Sequence, residues 1–139
     1  MKTPHLLRVE GGPGDYAELV QTARRAGLRV GWLDLEAPDD LLARLPRELG
    51  AAAGTGVLRA VAVGPRGQVA AKPVAGAPVL RDLLREHFLG CRLVLVRGEA
   101  PAPRLAAGAG RYEVAGAGVS WQGDAEALVA RLERPRPWG

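Results

Sequence analysis

The chain of 139 residues has little cysteine, serine or aromatic character, and it has no long apolar run. The single cysteine, Cys91, excludes an internal disulfide and a cysteine-rich metal site. Ser120 is the only serine, and no serine, histidine and aspartate share a familiar catalytic spacing, which argues against a hydroxyl-nucleophile enzyme. The apolar runs have the length of strands, which predicts neither a membrane span nor a secretory signal, so we expect a cytoplasmic protein.

The charge balance is modestly basic, with a formal net charge of +4. Nucleic-acid binding by such a chain would need arginines gathered on one face and aromatic side chains for stacking. The arginines are instead scattered, and aromatic residues make up only 4% of the chain. The composition therefore predicts no nucleic-acid partner.

Short apolar runs alternate with helical patterns along most of the chain. The runs that predict strands are His5 to Val9, Leu28 to Leu35, Val57 to Val63, and Cys91 to Val96. Helices are expected after Asp15 as N-cap, after Pro38-Asp39-Asp40 with a kink at Pro46, and from Pro78 to Phe88. This alternation predicts an α/β fold, in three α/β/α layers around a mainly parallel sheet.

The C-terminal third has a different character. Residues 98–110 are rich in alanine, proline and glycine, which predicts a loop. Residues 111–134 predict a small β-hairpin and a helix capped by Asp124, forming an extension packed on the core. Residues 135–139 are expected to form an extended tail. The whole chain, residues 1–139, is predicted to be a single domain.

The segment from Val57 to Phe88 is the most informative part of the sequence. Read one way, it is a buried strand, the glycine-bearing loop Gly64-Pro65-Arg66-Gly67, and a helix that starts at Pro78. Such a junction presents free backbone N–H groups and the positive end of a helix dipole, which attract phosphate. This interpretation predicts an anion site, with added charge from Arg66 or Lys72.

A β-hairpin is the alternative interpretation of the same segment. Residues 57–63 and 68–74 can pair across the loop, because Pro65 and Gly67 suit a type I turn. In that case both residues serve the turn and bind nothing. The sequence does not separate the two interpretations.

The glycine pattern of this segment resembles the nucleotide loop of the universal stress protein family. That pattern is a hydrophobic strand, G-x-x-G, nine residues and then glycine with serine or threonine; here Gly64, Gly67 and Gly76 match it, with eight residues between the last two, and Ala77 takes the hydroxyl position. The resemblance implies that the glycines line the triphosphate of ATP or a related nucleotide. It also implies that Glu10 matches the acid that ends the first strand.

Acidic residues follow the first two predicted strands, at the usual ligand side of an α/β sheet. They are Glu10, Asp15, Glu36, Asp39 and Asp40. Oxygen ligands of this kind can hold a divalent cation. The simpler interpretation, which we prefer, is that the aspartates cap helices and the other acids face solvent.

Three functional hypotheses follow. The first is an adenine-nucleotide-binding or sensing domain, assembled as a dimer through an exposed strand, that does not turn the nucleotide over. The second is a non-enzymatic interaction, scaffold or oligomerisation domain without a small-molecule site. The third is a metal-assisted enzyme that uses the acids near Glu10 and Asp34.

Overall fold

The protein divides into two compact units in a computed structural model, which describes residues 3–74 and 76–139. The first unit comprises residues 1–36 and 80–139, and the second comprises residues 37–79. The sequence predicts one domain, whereas contacts within the chain separate these two bodies.

The first unit contains six strands and three helices. They are β1 (His5–Val9), a 3₁₀ turn (Pro13–Tyr16), α1 (Ala17–Arg25), β2 (Val30–Asp34), α3 (Leu80–His87), β5 (Leu93–Arg97), β6 (Arg104–Gly108), β7 (Arg111–Gly116), β8 (Val119–Asp124) and α4 (Ala125–Arg131). The second unit contains a 3₁₀ turn (Leu41–Arg44), α2 (Arg47–Ala53), β3 (Ala60–Gly64) and β4 (Gly67–Ala71).

The six strands of the first unit form one sheet in the order β2-β5-β1-β6-β7-β8. The ladders of β2 with β5, β5 with β1, and β1 with β6 are parallel, and those of β6 with β7 and β7 with β8 are antiparallel. The sheet is therefore mainly parallel and carries an antiparallel C-terminal meander. This confirms the predicted α/β class and the predicted hairpin in residues 111–124.

The main core lies between this sheet and the pair of helices α1 and α4. Strand residues at alternate positions point to that side, among them Leu7, Leu95 and Leu105. Leu19 and Leu128 meet them from the two helices, and all five side chains are buried. The helix α4 starts where the sequence predicts, because the Asp124 carboxylate accepts a hydrogen bond from the Ala127 amide at 2.8 Å.

The second unit has a core of its own. Leu49 and Ala53 of α2 pack on Ala71 of β4, with Ala60 of β3 beside them. The predicted break at Pro46 is confirmed, because a 3₁₀ turn precedes it and α2 follows it. After this break, alanine-rich α2 runs as far as Ala53.

Three further local predictions are wrong. Asp15 does not cap α1; it lies in the preceding 3₁₀ turn and accepts a hydrogen bond from the Gly12 amide at 3.2 Å. Residues 104–108 of the predicted loop form β6. The tail is not extended, because residues 132–138 form turns and Trp138 packs on Trp121 with ring centroids 5.5 Å apart. A local hydrogen bond decides the first case, and tertiary contacts decide the other two.

Among the residues that the structure describes, no helix combines the length and apolar character needed to cross a lipid bilayer.

Candidate functional site

The glycine loop predicted to bind phosphate is the turn of a β-hairpin. β3 and β4 pair antiparallel from Ala60 opposite Ala71 to Gly64 opposite Gly67, and Arg66 lies exposed in the turn. The hairpin alternative is therefore confirmed, and the strand, loop and helix interpretation is wrong. The physical reason is that the ladder between these strands already uses backbone donors that a phosphate would need.

Gly76 and Ala77, the other predicted loop residues, are exposed in the segment before α3. Gly76 has a φ of 77°, which favours glycine. The helix α3 begins at Leu80 rather than at Pro78. Glu10 belongs to the first unit and the glycines at 64, 67 and 76 to the second.

A groove of about 500 Å³ opens at the carboxyl end of β1. The chain that leaves β1 continues to β2, towards one edge of the sheet. The chain that leaves β6 continues to β7, towards the opposite edge. Parallel sheets bind ligands where neighbouring strands diverge in this way. The groove residues come from the loop and 3₁₀ turn after β1, from the start of α1, and from the β6–β7 hairpin; they include Glu10, Asp15, Tyr16, Glu18, Arg104, Ala107, Arg111 and Tyr112.

Two buried tyrosines line this groove. The Tyr16 hydroxyl donates a hydrogen bond to the carbonyl oxygen of Glu10 at 2.9 Å, which fixes the loop after β1. Burial raises the pKa of Tyr16, and the nearby Asp15 and Glu10 carboxylates raise it further. Burial also raises the pKa of Tyr112, with a smaller contribution from Glu18. Both hydroxyls therefore stay protonated at neutral pH, and the single O–H of Tyr16 is already used by the Glu10 carbonyl oxygen.

Charges of both signs surround the tyrosines. Glu10 and Arg104 form a solvent-exposed ion pair, with 3.7 Å between Glu10 Oε1 and Arg104 Nη1. Glu18 and Arg111 are exposed and form no ion pair with any described residue. The groove therefore presents a free carboxylate and a free guanidinium to whatever enters it.

The loop after β1 is held from its other side by Arg97, which ends β5. The Arg97 guanidinium donates to the Asp34 carboxylate and, at 3.2 Å, to the carbonyl oxygen of Gly11. It also lies 5.9 Å from the centre of the Trp32 ring. Asp34 in turn accepts a hydrogen bond from the Glu36 amide at 2.8 Å. The ends of three parallel strands are thus joined by one arginine.

This arrangement predicts a stability loss in acid. The Arg97 guanidinium holds the pKa of Asp34 below its ordinary value of 3.8. A lowered folded-state pKa contributes stability above about pH 4, and that contribution disappears as the pH falls through the folded-state value. We expect the urea midpoint of the natural protein to fall more between about pH 6 and about pH 3 than that of Asp34→Asn. Asp39→Asn, which removes an exposed carboxylate, is the matched control. An equal fall of the urea midpoint in all three proteins would contradict the prediction.

The predicted acids do not form a metal centre. Across residues 3–74 and 76–139, no three histidine, cysteine, aspartate or glutamate side chains are placed to share a metal ion. Asp34 is committed to Arg97, and Asp15 to the Gly12 amide. Half-buried Cys91 has a thiol pKa raised by burial, which suits a structural rather than a reactive cysteine.

Sequence reasoning placed Glu10 in this region but missed most of the groove. β6 was predicted as loop because residues 98–110 are rich in small residues and proline. One local signal was present: Ala109-Gly110 separates two short runs, and a two-residue turn ending in glycine is typical of a hairpin. Ala109 and Gly110 both have positive φ values, 50° and 77°, as a type I′ turn requires.

The fold and the groove define an α/β protein whose parallel sheet diverges beside an open, mixed-charge groove. No model of a protein family matches this chain, and no curated protein matches it. The resemblance to universal stress proteins stays a prediction from the glycine pattern.

Proposed function

We propose that this protein is a non-enzymatic interaction domain that associates with a second copy of itself through the β3–β4 hairpin. The observation that carries the proposal is the exposed apolar face of that hairpin. Val61 and Val63 are 52% and 75% exposed, although valine in a strand normally packs against something. An apolar strand face left open in this way suits a protein contact.

The two faces of the hairpin differ. Residues directly opposite in an antiparallel ladder share a face, so Ala60 and Ala71 face α2, where they pack in the core of the second unit. Val61 and Val63 face the other way, beside Ala70 and Gln68. The strand residues of this outer face are uncharged, and by the same alternation Arg59 and Lys72 lie just beyond its end. Two copies can therefore pack face to face across a two-fold axis without burying a charge.

The hairpin is also a sheet of only two strands among the described residues. It has two strands of five residues each, and no third strand pairs with it among the described residues. Isolated two-stranded sheets are marginally stable in water, so added packing on the open face benefits the fold itself. A second copy supplies that packing with the same residues on both sides.

The test is the mass of the protein in solution. We expect light scattering on a sizing column to give twice the chain mass of 14.6 kDa for the natural protein, and the single-chain mass for Val63→Glu. The introduced carboxylate would be desolvated at the interface, while it stays in water in the separate chain. Leu89→Glu, at a 63% exposed leucine in the first unit, is the matched control and should remain dimeric. A natural protein that elutes as a single chain at high concentration would overturn the proposal.

Adenine-nucleotide binding, together with a cytoplasmic location, stays a prediction from the sequence. The paired strands at residues 60–71 give no support to the phosphate loop on which the nucleotide hypothesis depends. A thermal melt with ATP, with and without Mg²⁺, tests it: ligand at a hundredfold excess over Kd stabilises the protein by about 2.7 kcal/mol.

The three-layer arrangement of the fold also remains a proposal. It is supported by the ring of Phe88, which follows α3 and occupies the space where a side chain at Gly31 of β2 would lie.

A further inference from the structure

One edge of β6 is left without a neighbouring strand. The ladder between β1 and β6 contains a single residue pair, Arg8 with Arg104, next to a hydrogen bond from the Arg8 amide to the Pro103 carbonyl oxygen at 2.8 Å. On its other side β6 stays paired with β7 as far as Gly108 opposite Arg111. That parallel pair also engages the N–H of Leu105, so residues 106–108 form the strand edge that faces the groove and that no described strand covers.

The backbone groups that face the groove follow from the hairpin register. Across a two-residue turn, Gly108 and Arg111 form the closing hydrogen-bonded pair. Because such pairs alternate along an antiparallel ladder, the N–H and C=O groups of Ala106 also point towards β7. Those of Ala107 point the opposite way, into the groove. This is the arrangement to which an extended peptide adds as a further strand.

The two sides of this edge carry different charged groups. The side chains of Leu105 and Ala107 lie on the α1 side of the sheet, with buried Tyr112 and with the carboxylates of Asp15 and Glu18 at the start of α1. Arg104 lies on the other side by strand alternation. Arg111, directly opposite Gly108, shares that second side. Glu113, directly opposite Ala106, also lies on that second side, and Arg104 is paired there with Glu10. One wall of the groove is therefore acidic, and the other offers the Arg111 guanidinium, which has no ion pair with any described residue.

We propose that this groove binds an extended peptide whose side chains alternate between basic and acidic. A bound strand points successive side chains to opposite faces, so its basic residues meet Asp15 and Glu18 while an acidic residue meets Arg111. Main-chain hydrogen bonds to Ala107 supply affinity, and the two charged walls supply register and specificity. This site is separate from the β3–β4 hairpin, so it does not depend on self-association.

The test uses two fluorescent seven-residue peptides of identical composition. In one, three lysines alternate with two glutamates between terminal threonines; in the other, the lysines precede the glutamates as a block. We expect fluorescence anisotropy with the full-length protein to show that the alternating peptide binds at least about tenfold more tightly than the block peptide. Added salt should weaken the binding, because both walls act through charge.

Two pairs of variants locate the site. Ala107→Pro removes the N–H that faces the groove without removing a β6–β7 hydrogen bond, so it should lower affinity about tenfold or more, whereas Ala107→Ser keeps the N–H and should bind normally. Glu18→Lys should weaken binding of the alternating peptide, and Glu99→Lys, the same charge change at an exposed loop position, should not. Tryptophan fluorescence checks that each variant is folded.

Equal affinity for the two peptides, or full affinity in a folded Ala107→Pro variant, would overturn the proposal. If Ala107→Pro does not fold, the comparison of Glu18→Lys with Glu99→Lys decides, and equal affinity of these two variants for the alternating peptide would overturn the proposal. Competition by free lysine or glutamate that displaces the peptide completely at equal concentration would also overturn it, because the groove would then be a small-molecule site. Monomeric Val63→Glu should still bind the peptide, so failure of the dimer proposal and failure of this one are distinguishable.

Discussion

Leu128→Ala should destabilise the first unit by about 2–5 kcal/mol. Leu128 is fully buried on α4, where it packs with α1 and the sheet in the main core. Shortening it removes apolar contacts and leaves a cavity that the surrounding helices and strands can close only in part. The loss is large for a small protein, whose total stability is commonly about 5–15 kcal/mol.

Urea unfolding followed by tryptophan fluorescence measures this effect. Trp32, Trp121 and Trp138 all pack against the main core, so their emission reports its loss. Leu89→Ala is the matched control, because Leu89 is 63% exposed and its truncation should change stability by less than about 0.5 kcal/mol. A Leu128→Ala variant within about 1 kcal/mol of the natural protein would mean that α4 does not pack as described.

Gly50→Ala should destabilise the second unit, although glycine to alanine inside a helix ordinarily stabilises by up to about 1 kcal/mol. A Cβ at Gly50 would lie 2.6 Å from the carbonyl oxygen of Leu42, a backbone atom that cannot rotate away. The turn at Leu41–Arg44 or α2 itself must therefore shift. We expect a cost of about 1–3 kcal/mol, the range typical of overpacking.

Hydrogen exchange at the amides of residues 47–53 is the suitable measurement, because the second unit contains no tryptophan, tyrosine or phenylalanine. Gly54→Ala provides the control: its φ is −80° and its Cβ would make an ordinary contact at 3.5 Å with the Ala51 carbonyl oxygen. We expect slower exchange in Gly54→Ala and faster exchange in Gly50→Ala. The same direction in both would show that the close approach at Leu42 is absent.

The two proposed interaction surfaces share one physical property: each is part of a strand that lacks a neighbour. The outer face of the β3–β4 hairpin lacks a packing partner, and the β6 edge lacks a hydrogen-bonding partner. Native proteins usually cover or blunt such features because they invite contact with other chains. Here the strand residues of the outer hairpin face are uncharged, which favours a second copy, whereas the β6 edge lies between an acidic wall and the Arg111 guanidinium, which favours a charged peptide.

Much of the fold could be predicted because its signals are local. Leu7 and Val9 in β1 show the apolar periodicity of a half-buried strand, and Asp124 caps α4 through an amide three residues away. Pro46 separates two helical segments for a reason internal to its own ring. Such interactions span a few residues, so the sequence carries them directly.

The sequence by itself therefore determined the α/β class, most element positions and the C-terminal hairpin with its helix. The tertiary structure decided the rest: whether residues 60–71 pair with each other or present free amides, and that the small residues 104–108 form a strand beside β1. Both depend on which backbone donor meets which acceptor across the chain, and that choice is settled by long-range packing against α2 in one case and against β1 and β7 in the other. The groove exists only because β6 continues past the end of β1, a relation between two strands almost a hundred residues apart that no local pattern records.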